Sequence, residues 1–401
     1  MASLTPIPEK SLAEKLKMLD GVSAKIKKKY GKDVIGRIGK SPEIMDKLRI
    51  KFIKTPSSNL NADLGGGIPR ARYTMITGDP DSGKTSLLLN TISMNMKASP
   101  TFVAGWLESE ASLEKDYICD TFEIDPERFF YIPLDLDVGT EKTLDIVEGV
   151  LSLGACDMLC INSLRCLVPD KEREKSLTET TVAEQARLNA KMMRKWTGIV
   201  AQYDTALVAV QHLTTSIGAY GTPKTLAGGE AHKYWASVIL QLSKHAIKDG
   251  DPVTREEGMK IGYIVKKNHC TPGAKRQYCK GEYFVTYGEG IDEIAPSIGW
   301  GLDLGILERH GAYLWWMENG ELKQKFNSRA AFRAEMKANP KLWEEYYALI
   351  QGETVPEALT DDELKAIEEE NEAINSLGEE QKSIIEDIAS EDVAKSSREA
   401  G

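Results

Sequence analysis

The sequence predicts an α/β fold: a mostly parallel, doubly wound sheet, with a separate N-terminal helix before it and a small α/β unit and an acidic tail after it. Three observations lead there. A phosphate-binding loop sits between a strand and a helix; apolar runs of strand length alternate with helical patterns from 51 to 290; and the composition changes after residue 352. The expected division is a helical segment at 1–50, a core at 51–290, a small C-terminal domain at 291–352 and a tail at 353–401.

The first segment carries helical periodicity over residues 9–30 and ends in the basic cluster Lys25 to Lys29, before Tyr30-Gly31. It is either a packed surface helix or one that docks on a neighbouring subunit. The core then opens on Tyr73–Thr77, a β-branched and aromatic run, followed by Gly78-Asp79-Pro80-Asp81-Ser82-Gly83-Lys84-Thr85. This loop meets the pattern G-x-x-x-x-G-K-[ST] at every fixed position, and Ser86–Ile92 opens an apolar helix behind it. The glycines let successive backbone N–H groups converge on phosphate oxygens at a helix N-terminus, where the dipole also favours negative charge. Lys84 is expected to reach the β- and γ-phosphates, and the Thr85 hydroxyl to ligate Mg²⁺. The chain should therefore bind a nucleoside triphosphate.

Further strands are expected at Thr101–Leu107, Met158–Ile161, Ala206–Val210, Val238–Leu242 and Ile261–Val265. In a sheet of this type ligands sit at the carboxyl ends of the strands. Three of those ends carry polar groups. Glu108-Ser109-Glu110 follows the first, placing two carboxylates on one face of an extended segment at the end of a strand next to the loop, suited to activating a water. Asn162 and Ser163 follow the second, where a Mg²⁺-holding aspartate is expected. An amide oxygen still accepts from a metal-bound water but brings no charge, so Asn162→Asp is expected to raise Mg²⁺ affinity. Gln211-His212 ends the third, as wanted for sensing a γ-phosphate. The stretch Leu213–Gly229, with four glycines and four threonines, reads as a mobile loop rooted beside the nucleotide.

The C-terminal unit carries Trp300, Trp315 and Trp316, then a helix-rich stretch around Asn339-Pro340. From Thr354 to Gly401 there are fifteen acidic and four basic side chains, a balance of −11 within a total of −10. The other 353 residues thus stand at +1, free to carry basic patches. With 41% hydrophobic residues the chain can bury a sizeable core. No run approaches the ~20 apolar residues of a membrane span, and no signal-peptide apolar region opens the chain. Six cysteines form no C-x-x-C pair, and Cys156 and Cys160 read as small core residues. A cytoplasmic protein without a membrane partner is the expectation.

Over roughly residues 10–350 the chain resembles the RecA family of bacterial and phage recombinases. The resemblance rests on Lys29-Tyr30-Gly31-Lys32, Arg37-Ile38-Gly39, Gly66-Gly67-Ile68-Pro69, Gly78–Thr85, Glu108-Ser109-Glu110, Gly228-Gly229, Lys233–Ser237, Tyr287–Ile291 and Asp303-Leu304-Gly305. It implies a RecA-type P-loop ATPase core that takes ATP and Mg²⁺ and assembles helical filaments on single-stranded DNA. Pairing with homologous double-stranded DNA and DNA-stimulated hydrolysis would follow. The ATP site would be Gly78 through Ser86 with Tyr117 stacking on adenine. Glu110 would activate the water, and Gln211 or His212 would sense the γ-phosphate. Lys266 would reach the neighbour's ATP; the second family lysine falls at Asn268, with Lys267 beside it. The first DNA loop would be about Glu174–Val182. Arg187, Arg194, Tyr220, Gly228 and Gly229 would meet DNA, although Glu230 replaces the usual asparagine. The acidic tail would compete with DNA for the basic surface. The alternatives are a hexameric RecA-fold helicase-type motor and a nucleotide-gated DNA scaffold with little turnover.

Overall fold

The computed structural model describes residues 10–31, 35–38, 40–135, 137–173, 184–215, 224–226, 231–248, 251–270, 278–318 and 320–351. The expected first DNA loop, Tyr220, Gly228, Gly229 and the acidic tail lie outside these residues.

Helix α1, Leu12–Tyr30, begins at a capping box between Ser11 and Glu14 and stops at Gly31, whose φ of 72° is left-handed. Lys27, Lys28 and Lys29 in its last turn complement the helix dipole. None of its side chains is buried, and Leu12, Met18, Leu19 and Val22 are exposed. Then come α2 (Pro42–Leu48), β1 (Phe52–Ile53), α3 (Ser58–Leu64) and β2 (Ile68–Pro69), with β1 and β2 paired antiparallel.

The core follows as β3 (Tyr73–Gly78), α4 (Lys84–Ala98), β4 (Ala104–Glu108), β5 (Phe129–Pro133), α5 (Thr140–Leu153), β6 (Met158–Asn162), α6 (Asp170–Arg173) and α7 (Glu184–Tyr203). It continues as β7 (Ala206–Thr215), β8 (Lys224–Leu226), α8 (Ala231–Trp235), β9 (Val238–His245), β10 (Gly258–Asn268), β11 (Lys280–Thr286) and β12 (Gly290–Asp292). One sheet results, in the order β12-β11-β10-β9-β3-β7-β6-β4-β5, with β8 on β7. The strands from β9 to β5 are parallel, whereas β10, β11 and β12 add antiparallel. Thr101 lies in a turn, so the strand expected from there starts at Ala104.

Near-continuous apolar runs form the central strands because both faces are covered. Met158 and Cys160 of β6 face one core with Leu87, Leu88 and Ile92 of α4. Leu159 and Ile161 face the other with Val147 of α5 and Trp196 of α7. The period-two alternation therefore sorts one strand between two cores.

The C-terminal unit comprises α9 (Ile294–Asp303), β13 (Leu307–His310), β14 (Tyr313–Glu318), β15 (Glu321–Phe326), α10 (Arg329–Ala338) and α11 (Pro340–Gln351). Its antiparallel sheet packs Leu314, Trp316 and Phe326 against Phe332 and Tyr346. It meets the core through the Ser58 hydroxyl, 2.6 Å from Tyr347 Oη and 3.2 Å from Glu293 Oε1. Burial pushes the Glu293 carboxyl up to about 7.

Ala71, at the entry to β3, has a φ of 58°, and its N–H donates to Thr205 O at 3.0 Å. A Cβ in that region costs roughly 1–2 kcal/mol, partly offset by the larger unfolded-state entropy of glycine. Ala71→Gly is expected to stabilise the chain by up to about 1 kcal/mol in urea unfolding. A loss of stability would mean that the bend is not strained.

Candidate functional site

The phosphate-binding loop leaves β3 and returns into α4. Gly78 must be glycine because a Cβ there would lie 2.4 Å from Ser82 Oγ and 2.6 Å from Leu242 O. Gly83 caps α4 at a φ of 77°, so the loop turns straight into the helix N-terminus. Lys84 is buried, and its ammonium donates to Asp79 O at 2.6 Å and to Gly78 O and Ser82 Oγ at 3.3 Å. Burial lowers its pKa; the charges of Glu110, Asp79 and Asp81 oppose that shift. The loop thus brings one cation and a helix N-terminus to the same point, the arrangement that receives a polyphosphate.

Strand β4 is not the neighbour of β3, as expected from the sequence: β7 and β6 lie between them. Glu110 still reaches the site because the chain leaves β4 and turns at Ala111, whose φ is 52°. Its Oε1 accepts from Ser163 Oγ and lies 2.8 Å from His212 Nε2. Cys166 Sγ is 4.0 Å from the same oxygen. His212 stands opposite Gly78, the last residue of β3, in the register of β7 on β3; β7 itself runs on to Thr215, past the end expected before Gln211-His212, because it pairs there with β8. Gln211 stands opposite Thr77 and is buried within the sheet. Of the two sensor candidates, His212 is the one brought to Glu110. Ser163 was not expected in this cluster; its only signal in the sequence is its position directly after β6.

The two carboxylates expected on one face have separate surroundings. Glu108 is 2% exposed and accepts from Trp106 Nε1 at 3.0 Å, the Glu110 N–H at 2.7 Å and Asn162 Nδ2 at 3.1 Å. Ser109 bridges β4 to β6, its Oγ donating to Ser163 O at 2.8 Å and accepting from the Ser163 N–H at 2.9 Å. Among the described residues no group of three or more His, Cys, Asp or Glu could hold a metal by itself. The Thr85 hydroxyl and the Asn162 amide are hard oxygen donors, which fits a Mg²⁺ that shares its shell with phosphate and water.

Tyr117 begins a π-helical turn, Tyr117–Thr121, is 42% exposed, and packs edge-on against Phe122 at 5.1 Å. Lys266 sits at a bulge of β10, exposed and without a hydrogen bond or ion pair among the described residues. Lys267 instead donates to Lys233 O at 2.8 Å and Tyr234 O at 3.3 Å. Asn268 is buried and donates to Leu64 O at 3.2 Å. So only Lys266 of the three projects outward. Arg187 and Arg194 both project from α7 into solvent, Arg187 3.5 Å from Glu184.

Comparison with known proteins adds a family to this geometry. The RecA N-terminal domain model matches residues 17–292. The Protein RecA of Chloroherpeton thalassium is 31% identical over 345 residues, 85% of this chain and 91% of the relative. The Protein RecA of Campylobacter fetus subsp. fetus is 33% identical over 330 residues, 81% and 90% of the two chains. That of Bacteroides thetaiotaomicron is 32% identical over 341 residues, 84% and 97%.

Proposed function

The chain belongs to the RecA family, and from that membership we propose that it is an ATP-dependent DNA recombinase. In this reading it forms filaments on single-stranded DNA, pairs that strand with homologous duplex, and hydrolyses ATP when DNA is bound. Gly78–Ser86 cradle the phosphates, Lys84 turns from the loop carbonyls to the β- and γ-phosphates, and Tyr117 covers the base. Glu110 takes the proton of the attacking water. Mg²⁺, when bound, neutralises phosphate charge. Lys266, exposed at its bulge, is the residue suited to reach an adjacent protomer's nucleotide. Arg187 and Arg194, two turns apart on α7, are suited to DNA phosphate, and Tyr220, Gly228 and Gly229 keep the DNA-binding role implied by the resemblance.

The observation that carries the reading is the 2.8 Å contact between Glu110 and His212. His212 lies on β7, and β7 leads directly into residues 216–223 before β8, which carry Gly218, Tyr220 and Gly221. A γ-phosphate arriving between Lys84 and Glu110 competes for His212, so occupancy of the nucleotide site is relayed to the segment expected on DNA. That is a population shift driven by a differential contact. Self-association has a surface available in α1, where Leu12, Met18 and Leu19 are each more than half exposed among the described residues.

Negative-stain electron microscopy tests this. ATP and single-stranded DNA together are expected to give extended helical filaments, and neither alone should. Closed rings in their place would transfer the chain to the helicase-type motors.

A further inference from the structure

Glu108 is a buried charge to which ATP hydrolysis by Glu110 assigns no task. We infer that Glu108 is a positioning residue, one unit with Asn162: the carboxylate on β4 holds the amide on β6 with its nitrogen inward and its Oδ1 offered to metal-bound water. This rests on the Mg²⁺–ATP reading of the loop.

The two residues stand directly opposite each other in the parallel register of β4 on β6. Asn162 Nδ2 lies 3.1 and 3.4 Å from the two Glu108 oxygens and 3.3 Å from Ser112 Oγ. A carboxylate only accepts, so the amide has one allowed orientation; the flipped form would set oxygen against oxygen. Trp106 Nε1 and the Glu110 N–H fix the carboxylate in turn. With its nitrogen directed inward, Asn162 keeps Oδ1 as its acceptor, and no described residue donates to that atom. The amide carries no charge, so the charge of this pair resides one strand over, on Glu108. An aspartate at 162 would place a second carboxylate about 3 Å from the first in a buried site, where like charges repel. Asn162→Asp should therefore cost stability in the metal-free protein, where no cation screens the two carboxylates.

Three variants test the unit: Asn162→Asp, Glu108→Gln and the exchanged pair Glu108→Gln/Asn162→Asp. Two readouts are used, thermal unfolding without nucleotide and the Mg²⁺ dependence of ATP binding by calorimetry. Asn162→Asp is expected to lower the unfolding midpoint by about 5 °C or more, and the exchanged pair to recover most of that loss. Glu108→Gln is expected to raise the half-saturating Mg²⁺ on the order of tenfold, an effect typical of an outer-shell partner, while metal-free nucleotide binding changes little. If Asn162→Asp is as stable as wild type, or if Glu108→Gln leaves the Mg²⁺ titration in place, the inference is overturned. If wild type itself binds no ATP with Mg²⁺, the underlying nucleotide reading fails, and the unfolding arm still decides the Glu108–Asn162 contact.

Discussion

Glu110→Gln is expected to lower single-stranded-DNA-stimulated ATP hydrolysis by roughly two to four orders of magnitude, with nucleotide affinity nearly unchanged. The amide keeps the shape of the side chain and still accepts from Ser163 and His212 through its oxygen, so the loop around it should not collapse. What it loses is basicity at the carboxylate held by Ser163 and His212. Affinity should survive because, in the proposed function, Lys84 and the backbone of Gly78–Thr85 hold the phosphates, and none of these bonds to Glu110. The protein would then be trapped with ATP, and filaments on DNA should persist longer than in wild type. Steady-state turnover and a fluorescent-nucleotide titration, run on both proteins, separate the outcomes. A drop smaller than tenfold would remove Glu110 from the role of base. A parallel loss of affinity would make it a structural residue, and a flat, near-zero rate in wild type would favour a nucleotide-gated scaffold.

Why some of this was legible in the sequence and some was not follows from the kind of information each feature needs. The loop at Gly78–Thr85 is local: eight consecutive residues dictate the backbone, and both flanks announce their secondary structure. The strand ends at Glu108 and Asn162 were visible for the same reason, each being a polar residue closing an apolar run, whereas β7 runs past Gln211-His212 to Thr215 through its pairing with β8. Sheet order is not local. That β4 lies beyond β7 and β6, and that β10 to β12 run antiparallel, depends on how crossovers pack, which no single window encodes. Nor does a window reveal that Glu108 faces Asn162, since cross-strand partners are set by register. The choice between Gln211 and His212 is likewise a matter of which residue falls opposite Gly78. Lys266 and Lys267 differ through a bulge at Val265/Lys267, which turns one outward and ties the other to the carbonyls of Lys233 and Tyr234.

Arg333→Met is expected to destabilise the chain by about 3–5 kcal/mol, the largest loss from a single change outside the nucleotide site. Arg333 lies on α10, 8% exposed, and its guanidinium is shared among three acceptors from the core. Nε binds Asp292 Oδ2, Nη2 donates to Thr286 Oγ1 at 2.8 Å, and Nη1 lies 3.5 Å from Glu257 Oε2. Asp292 is itself buried at 6%, with Oδ1 accepting the Ala295 N–H at 3.0 Å. Methionine replaces the stem but not the charge, leaving a buried carboxylate without its cation, and that desolvation dominates the cost. The same logic predicts strong coupling. Adding Asp292→Asn to Arg333→Met should recover more than half of the loss, because the stranded charge is gone while the Ala295 cap remains. Urea unfolding followed by tryptophan fluorescence measures all three proteins. A single-variant cost below about 1 kcal/mol would place this pair among solvent-screened surface contacts, despite its burial.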